Sequence, residues 1–144
     1  MNTKILLIDD DEDEYWIFKE ALKEIDDSSE CFYAITANQG LKFLNQGLPD
    51  FVFVDVNMPF VNGLEFLDLI QKDDRLKEIP VVLYSTGIDN TIVYAAMNKG
   101  AFACIKKQNT IKDLVKKLKT LFAEISLQRV VNYVSLGRVF INGG

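Results

Sequence analysis

Four groups of side chains in this chain could do chemistry together. Residues 9–14 are six consecutive acids: Asp9, Asp10, Asp11, Glu12, Asp13 and Glu14. Asp55 stands at the end of the apolar run Phe51-Val52-Phe53-Val54. Ser85 and Thr86 close a second such run, and Lys106 and Lys107 close a third. Carboxylates that converge repel one another, and burying one is costly unless the charge is compensated. Convergence therefore implies a cation. Oxygen ligands, in a chain without histidine, favour a hard ion such as Mg²⁺ or Ca²⁺. There is no D-x-D-x-D-G loop followed by a distant glutamate, which excludes an EF-hand. Mg²⁺ keeps several waters and prefers one or two carboxylates plus a phosphate. A hydroxyl and an ammonium beside it would serve phosphoryl oxygens. The pattern points to phosphoryl transfer without a Gly-rich nucleotide loop.

The elements that must position these groups can be read from hydrophobic spacing. Strand-length apolar runs recur at Ile5–Ile8, Cys31–Ile35, Phe51–Val54, Val81–Tyr84 and Phe102–Ile105. The first, third and fourth are apolar throughout, as suits central strands covered on both faces. Between them lie helical patterns. Phe18, Ala21, Leu22 and Ile25 follow i, i+3, i+4, i+7, and Ile111, Leu114, Val115 and Leu118 repeat it, continued by Leu121, Phe122 and Ile125. Shorter helices are predicted over residues 38–46, 63–72 and 90–98. Five βα units in alternation argue a right-handed, doubly wound α/β sheet. In such sheets, sites form beyond the carboxyl ends of the strands. That is where the acids, Asp55, the hydroxyls and the lysines fall.

With these residues in place, the chain resembles a response regulator receiver domain. The segments that carry the resemblance are ILLIDD, FVFVDVNMPFVNG, IPVVLYST and GAFACIKK, spread over residues 4 to about 125. The resemblance implies a flavodoxin-like (βα)5 fold with strand order 2-1-3-4-5. It implies that Asp55 accepts a phosphoryl group from a histidine kinase or histidine phosphotransfer protein. Asp9 and Asp10 then match the acid pair that positions Mg²⁺, with Asp55 and the backbone carbonyl of Asn57 completing its protein ligands. Ser85, five residues after Pro80, matches the switch hydroxyl. Lys107, seven after Gly100, matches the lysine that contacts the phosphoryl group, with Lys106 as its alternative. Asp11 to Glu14 are left to helix capping and solvation. Such a domain is a phosphoacceptor switch rather than a turnover enzyme. Two other readings are weighed beside it. A pseudo-receiver would bind partners without phosphorylation. An Asp-nucleophile phosphatase would use the D-x-D formed by Asp9 and Asp11 but would leave the Asp55 motif unexplained.

Two positions depart from the family pattern. Gln108 stands where the family usually has proline after the lysine, and Cys104 stands where an aromatic residue is common. Cys104 predicts a weaker switch, or one carried by Phe102 or Tyr84. Beyond residue 125, the expected end of the receiver, residues 126–144 form an extension with no separate output domain. Leu127, Val130, Val131 and Val134 again have helical spacing, but out of phase with the stripe ending at Ile125. Either the helix breaks near Ser126, or an apolar stripe with Val130 and Val134 is offered to a partner or a second copy. Cys104 joins this candidate partner surface. Val139–Ile141 is a short strand-like run.

Composition limits the alternatives. The chain has 144 residues, 49% hydrophobic and 26% charged, enough for one domain with a real core. A net charge of −5 disfavours direct nucleic-acid binding. No apolar run approaches the roughly 18 residues needed to span a bilayer, and no secretory signal is recognisable. A cytoplasmic protein is expected. Cys31 and Cys104 lack metal-site spacing and read as reduced, packed thiols.

Overall fold

The computed structural model describes residues 3–135, with side chains as far as residue 128. Strand and helix alternate: β1 (Lys4–Ile8), α1 (Glu12–Ile25), β2 (Glu30–Ala34), α2 (Ala37–Gln46), β3 (Phe51–Val54), α3 (Gly63–Gln71), β4 (Val81–Ser85), α4 (Asn90–Asn98), β5 (Ala103–Lys106) and α5 (Ile111–Ser135). The five strands form one parallel sheet in the order β2-β1-β3-β4-β5, the expected doubly wound arrangement. The solidly apolar runs became β1, β3 and β4, the three inner strands, because only they can be buried on both faces.

Alternation of side chains along each strand divides the core into two layers. Leu6, Ile8, Val52, Val54, Val81 and Leu83 face α2, α3 and α4, where Leu44, Phe66, Leu67, Ile70 and Ala96 meet them. Ile5, Leu7, Phe51, Phe53, Val82, Tyr84 and Ile105 face α1 and α5, against Phe18, Leu22, Leu114, Leu118, Leu121 and Ile125. Both predicted helical stripes thus supply the second layer, except at Ile111, which is exposed in the first turn of α5. Helix starts are fixed by side-chain caps. Asp11, Thr36, Asn62 and Asp89 each accept a backbone N–H from the first turn of α1, α2, α3 and α4, and Asn62 forms a reciprocal capping box with Glu65.

The edge strands differ by one residue from the expectation. β2 spans Glu30–Ala34 and leaves Ile35 outside, 48% exposed, and β5 spans Ala103–Lys106. An edge strand is covered less completely, so its apolar content marks its ends poorly. A break near Ser126 is not what the fold contains. α5 continues through that residue to Ser135, while Leu127 points away from the core at 64% exposure. The out-of-phase spacing of Leu127 is therefore expressed as an exposed position on a continuous helix. The side chains of Val130, Val131 and Val134, and the run Val139–Ile141, lie outside the described residues.

Two residues hold left-handed backbone. Phe60 has φ 68° and is 94% exposed in the turn after Pro59, and Gly100 has φ 91° at the α4–β5 turn. A Cβ at Gly100 would come within 2.7 Å of the Gln71 side chain. The same backbone physics predicts opposite signs for two substitutions. Phe60→Gly removes strain without losing buried area and should raise unfolding free energy by up to about 1 kcal/mol. Gly100→Ala adds strain and crowding and should lower it by about 1–2 kcal/mol. Urea unfolding of the two variants beside the parent chain checks both. A lower midpoint for Phe60→Gly would mean that the aromatic ring contributes contacts its exposure does not suggest.

Candidate functional site

The carboxyl edge of the sheet brings together side chains that are far apart in sequence. The Asp55 N–H donates to the Ile8 carbonyl at 2.9 Å, and the Asp9 N–H to Ala34 at 3.0 Å. These bonds extend the ladder one step past β3 and β1 and set Asp55 and Asp9 side by side. Asp9 is fully buried and Asp55 nearly so, at 7% exposure, while Asp10 is exposed. Asp9, Asp10 and Asp55 each offer a carboxylate oxygen, and these oxygens lie within 4.8 Å of one another. A cation bound at about 2.1 Å to each ligand needs oxygens no more than about 4.2 Å apart, so small side-chain adjustments would let the three share one hard, hydrated ion. The donor set fits Mg²⁺: all oxygen, two carboxylates buried and one open to water.

Lys107 enters from β5. Its backbone N–H donates to the Ser85 carbonyl at 3.0 Å, which ties the end of β5 to the end of β4. Its ammonium lies 2.8 Å from Asp9 Oδ2 and 3.3 Å from Asp55 Oδ2. The Asp9 contact is an ion pair rather than an aligned hydrogen bond. Lys106 points outward and is exposed, so strand alternation decides between the two lysines in favour of Lys107. Ser85 is buried, and its Oγ has no hydrogen-bond partner among the described residues; Thr86 is exposed. Asn57 is exposed in the β3–α3 loop and donates its backbone N–H to Asp55 Oδ1 at 3.2 Å. Gly63 closes that loop. A Cβ there would stand 2.6 Å from the Asp55 carbonyl, so only glycine lets α3 start so close to the acid.

Glu14 corrects the reading that gave it to capping and solvation. Asp11 is the cap of α1, accepting from the Asp13 N–H at 3.0 Å. Glu14 is three residues further on, and helical side chains lean back toward the N-terminus. Its carboxylate is 19% exposed and 3.9 Å from the Lys107 ammonium. The spacing from the cap was the available signal, hidden by the uninterrupted acidic run. Tyr84 is a further group at the site. It is fully buried, its ring centroid lies 5.7 Å from the Lys107 ammonium, and its hydroxyl has no hydrogen-bond partner among the described residues.

Charge and burial oppose each other on Asp9, Glu14 and Lys107 and act together on the tyrosines. Burial raises the Asp9 carboxyl above its ordinary range, although Lys107 and the Asp11 N–H act against this. Burial likewise raises Glu14. Burial pulls Lys107 down, but Asp9, Asp55 and Glu14 outweigh it and hold the ammonium above its ordinary value. Burial and the acids push the Tyr84 phenol up, and Tyr33, which donates to the Asp9 carbonyl at 2.7 Å, is pushed up to about 12. The cysteines stand apart from this chemistry. Both are free and half-buried, and burial pushes Cys31 up to about 12 and raises Cys104, which disfavours thiolate. Cys104 lines a cleft of about 420 Å³ between β5 and α5, together with Gln108, Lys117, Thr120 and Leu121. Among the described residues, no helix is long and apolar enough to cross a membrane.

The structure is thus a doubly wound α/β domain whose carboxyl edge gathers buried aspartates, a paired lysine and a buried hydroxyl. The family model for the response regulator receiver domain matches residues 5–119, and the chain belongs to that family. It is 31% identical over 126 residues to chemotaxis protein CheY-3 of Vibrio cholerae, covering 86% of this chain and 95% of that one. The phosphorylated cyanobacterial phytochrome response regulator RcpA superposes with a TM-score of 0.76 at 26% identity, over 84% of this chain and 91% of that one. The Mn²⁺-bound form of response regulator Rcp1 superposes with a TM-score of 0.69 at 26% identity, over 83% and 91%. Receiver domains are signalling domains of two-component systems.

The raised carboxyls give a pH signature. Asp9 and Glu14 each have a folded value above the unfolded one. Their favourable contribution is complete below the unfolded carboxylate range, near pH 4, and is lost as pH rises through the folded values. The metal-free chain should therefore gain stability from these two groups as pH falls toward about pH 4. Asp9→Asn should flatten that gain, as read from urea midpoints across the range. An equal gain in the variant would assign the effect to the net charge of the whole chain.

Proposed function

We propose that the chain is a phosphoacceptor switch whose Asp55 receives a phosphoryl group from the phosphohistidine of a kinase or phosphotransfer protein. The observation that carries this reading is the Asp55 carboxylate, nearly buried at a strand end, 3.3 Å from the Lys107 ammonium and clustered with Asp9 and Asp10. A carboxylate oxygen of Asp55 attacks phosphorus, the donor P–N bond breaks with its electron pair going to the imidazole, and an acyl phosphate remains on Asp55. Asp9, Asp10, Asp55 and the Asn57 carbonyl would hold Mg²⁺. When bound, that ion offsets the negative charge of the transferring group. Lys107 supplies the second positive charge and is already fixed by the carboxylates around it. Ser85, with a buried Oγ lacking a partner, is a donor for a phosphoryl oxygen. Asn57 N–H and the Gly63 turn hold the acceptor rigidly, so attack requires little reorganisation.

The relatives agree with this reading at the level of their printed descriptions: one solved structure is of a phosphorylated response regulator and another of a Mn²⁺-bound one. The pseudo-receiver reading loses ground because no member of the acid set is missing. The phosphatase reading loses ground because Asp11, the second acid of its D-x-D, is committed to capping α1. Under the proposal the chain turns over no substrate beyond its own phosphorylation and dephosphorylation. It acts in the cytoplasm through protein contacts, with residues 126–144 as an extension rather than an output domain. Cys104, Val130 and Val134 belong to the candidate surface for a partner or a second copy, and direct nucleic-acid binding is not part of the reading.

Intact-mass spectrometry after incubation with Mg²⁺ and acetyl phosphate tests the acceptor. The parent chain should gain the mass of one phosphoryl group, and Asp55→Asn should gain none. Equal labelling of both would move the acceptor elsewhere. If acetyl phosphate gives no label, beryllofluoride with Mg²⁺ follows, and failure to bind it would favour the pseudo-receiver.

A further inference from the structure

We propose that Glu14 is a positioning residue for Lys107, holding its ammonium when a divalent cation takes the oxygens of Asp9 and Asp55; this rests on the cation site proposed above. The two short contacts of Lys107 are to Asp9 Oδ2 at 2.8 Å and Asp55 Oδ2 at 3.3 Å. Both acids belong to the cluster with Asp10 that a cation would occupy. The same carboxylates are thus claimed twice, once by the lysine and once by the metal. A cation entering the cluster weakens the lysine's hold on both.

The displaced ammonium has few places to go. Its side chain is only 8% exposed, so it does not swing freely into water. The fully buried ring of Tyr84 lies near it, 5.7 Å from the ammonium to the ring centroid. An ammonium left there without an anion would be costly. Glu14 supplies the anion. It is outside the three-acid cluster, its Oε1 is 3.9 Å from the ammonium, and it is itself mostly buried. That separation is too long for a hydrogen bond and short enough for an ion pair, so a small movement of the lysine completes the exchange. Glu14 therefore lowers the free-energy cost of metal binding by receiving what the metal displaces.

The test is Mg²⁺ affinity by titration calorimetry on the full chain at low ionic strength, in a double-mutant cycle. The variants are Glu14→Gln, Lys107→Met and the pair together, with circular dichroism to confirm folding. Glu14→Gln should weaken Mg²⁺ binding about three- to tenfold, as one anion is lost from a partly buried site. In the Lys107→Met background the same change should cost about twofold or less, because there is no ammonium to receive. Glu14→Asp, which keeps the charge but withdraws it, should fall between the parent and Glu14→Gln, and it carries the comparison should Glu14→Gln not fold. An equal loss with and without Lys107 would make Glu14 a bystander charge and overturn the proposal, as would no loss at all. Absence of Mg²⁺ binding by the parent chain would be the failure of the cation site itself, and this role would fall with it.

Discussion

At the carboxyl edge of this sheet three largely buried acids gather around one ammonium, that of Lys107, which offsets part of the cost of burying them. Asp9 is fully buried, Asp55 nearly so, and Glu14 mostly so, yet one lysine lies within 3.9 Å of all three. Like charges at such distances each penalise the ionised state of the others. Burial first, and the neighbouring carboxylates after it, raise the Asp9 and Glu14 carboxyls. One ammonium does not cancel three anions. What remains is an excess of negative charge at the strand ends, and that excess is what the proposed cation site rests on.

Much of the fold serves to keep that imbalance in place. β1 and β3 are buried on both faces, so neither can shift register without moving its whole apolar set. Their ends are joined by the Asp55 N–H to Ile8 carbonyl bond, which sets the spacing of the two buried acids. β4 and β5 are joined in the same way by the Lys107 N–H to Ser85 carbonyl bond. The Asn62 and Glu65 capping box starts α3 immediately after the loop that follows Asp55, and Gly63 permits the close approach. Each device is local, but each acts on the position of a charge.

The fold was legible because its signals are large and redundant. Three solid apolar runs and two long helical stripes leave few arrangements other than a parallel sheet between two helical layers. Asp55, the Ser85-Thr86 pair and the Lys106-Lys107 pair were legible as strand-end groups because each follows an apolar run, and the family resemblance favoured Ser85 and Lys107. Lys106 and Lys107 were separable only once the pleat direction was known. Glu14 was illegible for a different reason. In a run of six acids, composition carries no information about which carboxylate turns inward; the cap at Asp11 decides it, and a shift of one residue would have aimed another side chain at the lysine. Tyr84 is singled out by the sequence as a substitute for the missing strand-five aromatic, but nothing in its spacing places its ring near the lysine. The apolar spacing after Ile125 allows either a break near Ser126 or an outward stripe, and the helix continues with Leu127 turned outward.

The two departures from the family pattern act on the same lysine in different ways. The chain after Lys107 does not use proline. Gln108 instead folds its side-chain amide back onto the Lys106 carbonyl at 2.6 Å, closing the turn with a bond that proline could not make. The lysine keeps its place because the β4–β5 backbone bond holds it, whatever follows. Cys104 is a deeper change. It packs toward the layer of α3 and α4, and it brings no ring to that side. The aromatic near the lysine is Tyr84, one residue before Ser85, and it belongs to the opposite layer. There its ring centroid is 5.6 Å from that of Phe18 in α1 and 6.5 Å from that of Phe53 in β3. The ring nearest Lys107 thus packs against Phe18 of α1, on the face of the sheet opposite to that of Cys104.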